Sequence, residues 1–176
     1  AVELSTSVDD QPRTGLQLVD RVLLPAGTTS IRYRATVDVP DAPDAMPLDL
    51  AAPRPADFTP ADWWWLQPTR YCRPDELGVE AWATFGADIG PDRPATGRTV
   101  QAICDHVNAS MRFAYGSSTP LTTATDAWEA RTGVCRDFNH IAVSFCRALN
   151  IPTRYVFGYL PDIDVPAPPA PMDFCA

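Results

Sequence analysis

The sequence predicts an α+β fold, on three observations. Segments rich in Val, Leu, Ile, Tyr and Thr open the chain, helical periodicity takes over from Pro74, and one more strand-like run follows the last helix. Residues 16–24, "LQLVDRVLL", and 30–39, "SIRYRATVDV", flank "PAGTT" and read as two antiparallel strands joined by a turn. Residues 40–62 are a Pro/Ala/Asp-rich connector without periodicity. The aromatic run "WWWLQPTRYC" after it is expected to pack that connector against the rest of the chain.

"RPDELGVEAWATFG" places Pro and two acids in a first helical turn. Over 99–112, Val100, Ile103, Cys104, Val107 and Met111 recur at steps of three and four residues, one stripe of an amphipathic helix. "FAYGSSTPLT" is a loop, and "TATDAWEART" a short helix. After Gly133 the apolar positions Phe138, Ile141, Ala142, Phe145, Cys146 and Leu149 mark a helix over 135–149, stopped by Asn150 and Pro152. Residues 153–160, "TRYVFGYL", read as a strand, and "PDIDVPAPPAP" as a loop that no helix or central strand tolerates. No internal repeat is visible.

Composition narrows the function classes. The 176 residues are 45% hydrophobic and 20% charged, as suits a chain able to build a core. Net charge is −8 and all 14 basic residues are arginine. A chain with this balance lacks the basic patch that nucleic acid or an anionic membrane surface requires. No apolar run approaches the ~18 residues of a membrane span. The five cysteines stand at scattered spacings with no zinc-knuckle or redox pair, which favours a reduced, cytoplasmic protein. "AVELSTSVDD" has no initiator Met and no signal-peptide character, so the chain reads as a start in mid-protein.

"GVCRDFNH", residues 133–140, carries the chemical interest. Cys135 falls in the first turn of a helix, where backbone N–H groups lack intrahelical partners and the dipole is positive. Thiols so placed, with a cation such as Arg136 beside them, ionise more readily, their pKa falling from about 8.5 to around 3.5–7.5. Gly133 lets the loop turn sharply into the helix. Cys135 also lies only about 20° from Ala142 on the helical wheel, so a packed thiol and a nucleophile both remain open at this point. Cys146 and Cys104 belong to the apolar faces of their helices and are expected in the core, while Cys72 is undetermined. A nucleophilic Cys needs a base. Of the two histidines, His140 sits five residues on, about 140° round the helix and pointing away; His106 borders the stripe of its own helix.

"TDAWEARTGVCRDFNHIAVSFCRALNIPTRYVFGYLP" resembles the core of the bacterial transglutaminase-like family, and "LQPTRYCRPDEL" resembles the join between that family's N-terminal β region and its catalytic core. The resemblance implies a papain-like arrangement: a Cys opens a helix packed on an antiparallel sheet, and a Cys-His-Asp triad performs acyl transfer or peptide hydrolysis. It implies residues 1–65 as a remnant β domain and connector, and 66–176 as a core apparently truncated at its C-terminus. Cys135 becomes the nucleophile, its own N–H helping to hold the oxyanion. Arg136 and Asp137 shape the helix mouth, and Tyr115 or Trp128 offers a second oxyanion donor. The family's Asp-Phe-His-Ala-Trp segment, which carries the catalytic His, corresponds to Asp173, Phe174, Cys175 and Ala176, so Cys175 stands at the His position. No counterpart of the triad Asp is present in the sequence.

A thiol cannot replace imidazole as both proton acceptor and donor near neutral pH. The expected chemistry is thioester-based acyl transfer on a peptide or protein substrate, without cofactor or metal, in a chain whose activity is impaired. The alternative is a non-catalytic relative that binds a peptide or protein. Base and nucleophile must face one another, so Cys135 and Cys175 are expected close enough to form a disulfide on oxidation. Oligomeric state is left open.

Overall fold

A computed structural model describes residues 3–4, 26–28, 30–31, 45–159, 166 and 174–175. The chain divides into two compact units, Ala1–Asp44 and Ala45–Ala176. In the first, β1 (Glu3–Leu4) pairs in parallel with β2 (Ser30–Ile31), Glu3 opposite Ser30. Most of the hairpin expected over 16–39 lies outside the described residues.

The second unit is mainly helical. Helix α1, Pro60–Leu66, was not anticipated; its first three residues fall in the expected connector and the rest in the aromatic run. Its signal is a capping box, Thr59 Oγ1 accepting the Asp62 N–H at 3.3 Å while the Asp62 carboxylate accepts the Thr59 N–H at 2.7 Å. Trp63 and Trp64 are 53% and 71% exposed, so the expected burial of the tryptophan run fails for these two. Residues 48–52 are tied to 95–98 by backbone hydrogen bonds, including Ala52 N–H to the Ala95 carbonyl at 2.8 Å and Arg98 N–H to the Leu48 carbonyl at 2.9 Å.

Four helices then build the core: α2 (Pro74–Phe85), α3 (Gly97–Ser110), α4 (Ala124–Ala130) and α5 (Cys135–Ala148). α5 lies at the centre and packs against the other three. Phe145 and Ile141 of α5, Ile103 and Val107 of α3, Leu77 and Ala81 of α2, and Trp128 of α4 form one buried cluster. Phe145 is fully buried, with the Trp128 ring edge-on at 5.1 Å and the Phe85 ring at 5.9 Å. Cys146 is 3% exposed, as expected, and burial pushes its thiol up to about 12. Cys104 departs from expectation: it is exposed, at the edge of a stripe whose covered positions are Ile103, Val107 and Met111.

α5 ends as its sequence implies. Asn150 adopts φ 60°, a left-handed conformation Asn tolerates, and the Ile151 and Asn150 N–H groups return to the Cys146 and Arg147 carbonyls at 2.9 and 3.0 Å.

Short strand pairs complete the α+β architecture. β3 (Arg112–Phe113) runs parallel to β4 (Thr132–Gly133), and β5 (Gly158–Tyr159) antiparallel to β6 (Phe174–Cys175), Gly158 opposite Cys175. Residues 153–157, expected within a strand, form no ladder. No described helix is long and apolar enough to cross a membrane.

Candidate active site

The chain reaches Cys135 through a tight reversal. Thr123 and Asp126 cap α4, which ends at Arg131 in the left-handed region (φ 53°), the guanidinium resting 3.7 Å over the Trp128 ring. β4 then leads into the mouth of α5. Here Asp137 is wholly buried and its Oδ2 accepts the Val134 N–H at 2.8 Å. This bond satisfies a donor at the helix start and fixes the entry angle of the residue before Cys135.

A cleft of about 610 Å³ opens at this mouth. Its lining includes Cys135, Arg136, His140, Tyr155, Cys72 and Cys175. The 69–73 segment forms one wall, held by the Arg73 N–H donating to Ser144 Oγ at 2.9 Å and by the Tyr71 hydroxyl donating to the Pro120 carbonyl at 2.9 Å. The loop before α4 forms another, with Arg136 Nη2 donating to Ser118 Oγ at 2.9 Å and to the Thr119 carbonyl at 3.2 Å. β6 brings Cys175, the position the resemblance assigns to His, to the same cleft.

Of the residues singled out from sequence, Cys135, Arg136 and Cys175 line this cleft. Asp137 lies buried at the helix mouth, its Oδ1 3.8 Å from Arg136 Nε. Tyr115 and Trp128 are not among the lining residues. Tyr115 is 87% exposed with its ring edge-on to Phe113 at 5.0 Å. Trp128 is 3% exposed, and its Nε1–H donates to Glu80 Oε2 at 2.6 Å.

Sequence reasoning missed two residues. His140 was expected to point away, yet its ring lines the cleft, lying nearly parallel to Tyr71 at 5.2 Å and close to Tyr155 at 5.1 Å. The 140° offset along α5 is real, but the cleft wraps past the first turn, so two separated directions reach it. Burial lowers the His140 pKa; Asp137 opposes that shift and Arg136 reinforces it, and the imidazole is held neutral. Its Nδ1 is buried without a hydrogen-bond partner among the described residues. Tyr155 is the second. Burial raises its pKa most, and thiols at Cys135, Cys72 and Cys175 add to the rise, so the phenol stays protonated as a donor beside the sulfur atoms. Cys72, undetermined from sequence, is buried; burial pushes its thiol up, partly offset by a hydrogen bond with Thr69 and by Arg147. No described His, Cys, Asp and Glu residues cluster as a metal site.

Residues 83–169 match the family model of the transglutaminase-like superfamily. The chain carries a transglutaminase-like core. A crystal structure of a Cytophaga hutchinsonii protein, proposed to be a cysteine protease, superposes on this core with a TM-score of 0.60 at 33% identity, covering 72% of this chain and 40% of that one. An uncharacterized protein of Mycobacterium tuberculosis is 27% identical over 132 residues, spanning 64% of this chain and 40% of the relative. One of Mycobacterium leprae is 32% identical over 95 residues, spanning 54% and 32%. The transglutaminase-like chain thus spans well under half the length of the curated relatives it matches.

Proposed function

We propose that the transglutaminase-like core is a thiol acyl-transfer site centred on Cys135, acting on a peptide bond or a Gln side-chain amide. The observation that carries this reading is the placement of Cys135 at the N-terminus of α5, on a cleft it shares with a neutral imidazole, a protonated phenol and Cys175.

The Cys135 sulfur, as thiolate, attacks the substrate carbonyl carbon. The carbonyl oxygen gathers negative charge at the positive end of α5, where the Cys135 N–H and the Tyr155 hydroxyl are the candidate donors. The C–N bond then breaks, the leaving amine takes up a proton, and a thioester remains on Cys135. Water, or a second amine, attacks that thioester to give acid or new amide and regenerate the thiol. His140 is the candidate proton carrier from the described cleft; Cys175 takes the position that the sequence resemblance assigns to the base.

This assignment is tested by labelling and trapping. Cys135 should react with iodoacetamide at pH 6 faster than glutathione does, and an activated ester should leave an acyl group on Cys135 that mass spectrometry detects. An alkylation rate no higher than that of a free thiol would remove the reading.

A second reading, a non-catalytic module that binds a peptide or protein, is favoured by the thiol at position 175. Acylation of Cys135 without turnover of any peptide would select it.

A further inference from the structure

The chain is acidic, with 22 carboxylate residues against 14 arginines. Among the described residues, the lining of the cleft at Cys135 inverts that balance. Arg136 and Arg147 line it, and no Asp or Glu is among the described residues that do. Arg147 is only 7% exposed, and its hydrogen bonds run to neutral carbonyls: Nη1 to Gln67 at 2.6 Å, Nε and Nη2 to Thr153 at 3.1 and 2.8 Å. Those carbonyls satisfy the N–H groups, and no carboxylate among the described residues pairs with the charge, in surroundings where charge is screened weakly. Arg136 donates to a hydroxyl and a carbonyl, and its Nε stands 3.8 Å from the buried Asp137 Oδ1. The positive end of α5 points the same way. His140, 7% exposed, lines the same cleft and brings no negative charge to it.

We propose that this cleft selects substrates carrying a carboxylate close to the carbonyl that Cys135 attacks, with Arg136 as the specificity-determining residue. The anion settles against Arg136 and the first turn of α5, in the field of Arg147. The carboxylate belongs to an Asp or Glu side chain or to a peptide C-terminus; the two share one chemistry. This specificity rests on the Cys135 reading above.

The test compares two alkylating agents of one shape and different charge on the full chain, with the modified peptide identified by mass spectrometry. Iodoacetate is expected to label Cys135, relative to iodoacetamide, about tenfold more favourably than it labels glutathione. The preference should shrink several-fold in Arg136→Gln, return in part in Arg136→Lys, and fade in the parent protein at about 1 M salt. Protection of Cys135 from iodoacetamide then distinguishes the sources. Acetyl-Glu-amide protecting alone assigns a side-chain carboxylate; acetyl-Gln with a free C-terminus protecting alone assigns a terminal one; either result supports the proposal, as do both together. Equal protection by neutral acetyl-Gln-amide overturns it. A fast iodoacetamide reaction with a charge ratio no higher than that of glutathione also overturns it and leaves the thiol reading intact. A Cys135 slow towards both reagents removes the thiol reading and this specificity with it.

Discussion

Gly133 and Asp137 are in mutual contact across the mouth of α5: a Cβ placed on Gly133 would stand 2.7 Å from the Asp137 Cβ and 3.0 Å from its Oδ2. The missing side chain at 133 is what lets Asp137 fold back beneath the turn and accept the Val134 N–H at 2.8 Å. Gly133 thus acts through packing, whereas the sequence suggested only a role in turning the loop.

Gly133→Ala should therefore destabilise the protein by about 1–3 kcal/mol in urea denaturation, the usual cost of overpacking a filled site. Asp137→Ala should cost about 1–3 kcal/mol by leaving a part-buried N–H unpaired. Both should slow iodoacetamide labelling of Cys135 under native conditions, because the helix mouth loses its fixed geometry. An Asp137→Ala protein of parental stability and thiol reactivity would show that this bond does not set the site.

Trp128 is tied to Glu80 rather than to the cleft. Trp128→Phe keeps much of the ring against Phe145 and removes the Nε1–H donor, so it should lower stability by about 1–2 kcal/mol. It should leave the Cys135 alkylation rate within about twofold of the parent, since residue 128 is not among the cleft-lining residues. Tyr115→Phe should change neither quantity, its side chain being largely in solvent. Lost acylation of Cys135 in either variant would return that residue to the oxyanion donors.

The helices were legible because an amphipathic period survives in a single sequence. α5 announced itself by Phe138, Ile141, Phe145 and Leu149, and its end by Asn150. α1 escaped because its capping pair, Thr59 and Asp62, sits in a Pro/Ala/Asp-rich stretch where turn residues mask a start signal. Helical angle failed as a guide to the site for a different reason. It gives direction from the axis of α5, not which neighbour lies in that direction, and the 69–73 and 155–157 segments place the cleft over His140 as well as Cys135. Tyr155 was invisible because nothing local in "TRYVFGYL" sets its ring apart from the others.

The His140 shift makes stability depend on pH. Burial lowers its folded pKa below the unfolded value of about 6.5. The unfolded chain therefore binds more protons in the window between the folded value and about 6.5, and stability rises with pH there. The contribution is complete above about 6.5 and is lost as pH falls through the window. His140→Gln should flatten this limb of a urea-midpoint profile between pH 5 and 7. An unchanged slope in the variant would assign the acid sensitivity to other groups.

Cys135 and Cys175 line one cleft. Mild hydrogen peroxide should oxidise Cys135 to a sulfenic acid with release of water, and Cys175 should then displace a second water to form a disulfide. Non-reduced peptide mapping should recover the linked pair, and dithiothreitol should restore alkylation of both. Both thiols freely alkylated after oxidation, or a Cys135–Cys72 link in their place, would set this pairing aside.

Restoring imidazole at position 175 is the most direct test of what limits the chemistry. A general base typically contributes about 10²–10⁴-fold to a reaction of this kind, and a thiol cannot both accept and deliver the proton near neutral pH. If Cys175 occupies the base position of a competent site, Cys175→His should raise thioester formation on Cys135 by about 10²-fold or more, with a pH profile that gains a limb near the ordinary histidine range. Adding His140→Gln to that variant should then have little effect, because the proton has a better carrier; in the parent the same substitution should lower acylation several-fold. Equal acylation rates in the parent and Cys175→His would mean that His140 already serves as the base or that residue 175 lies out of reach, and the His140→Gln result decides between them.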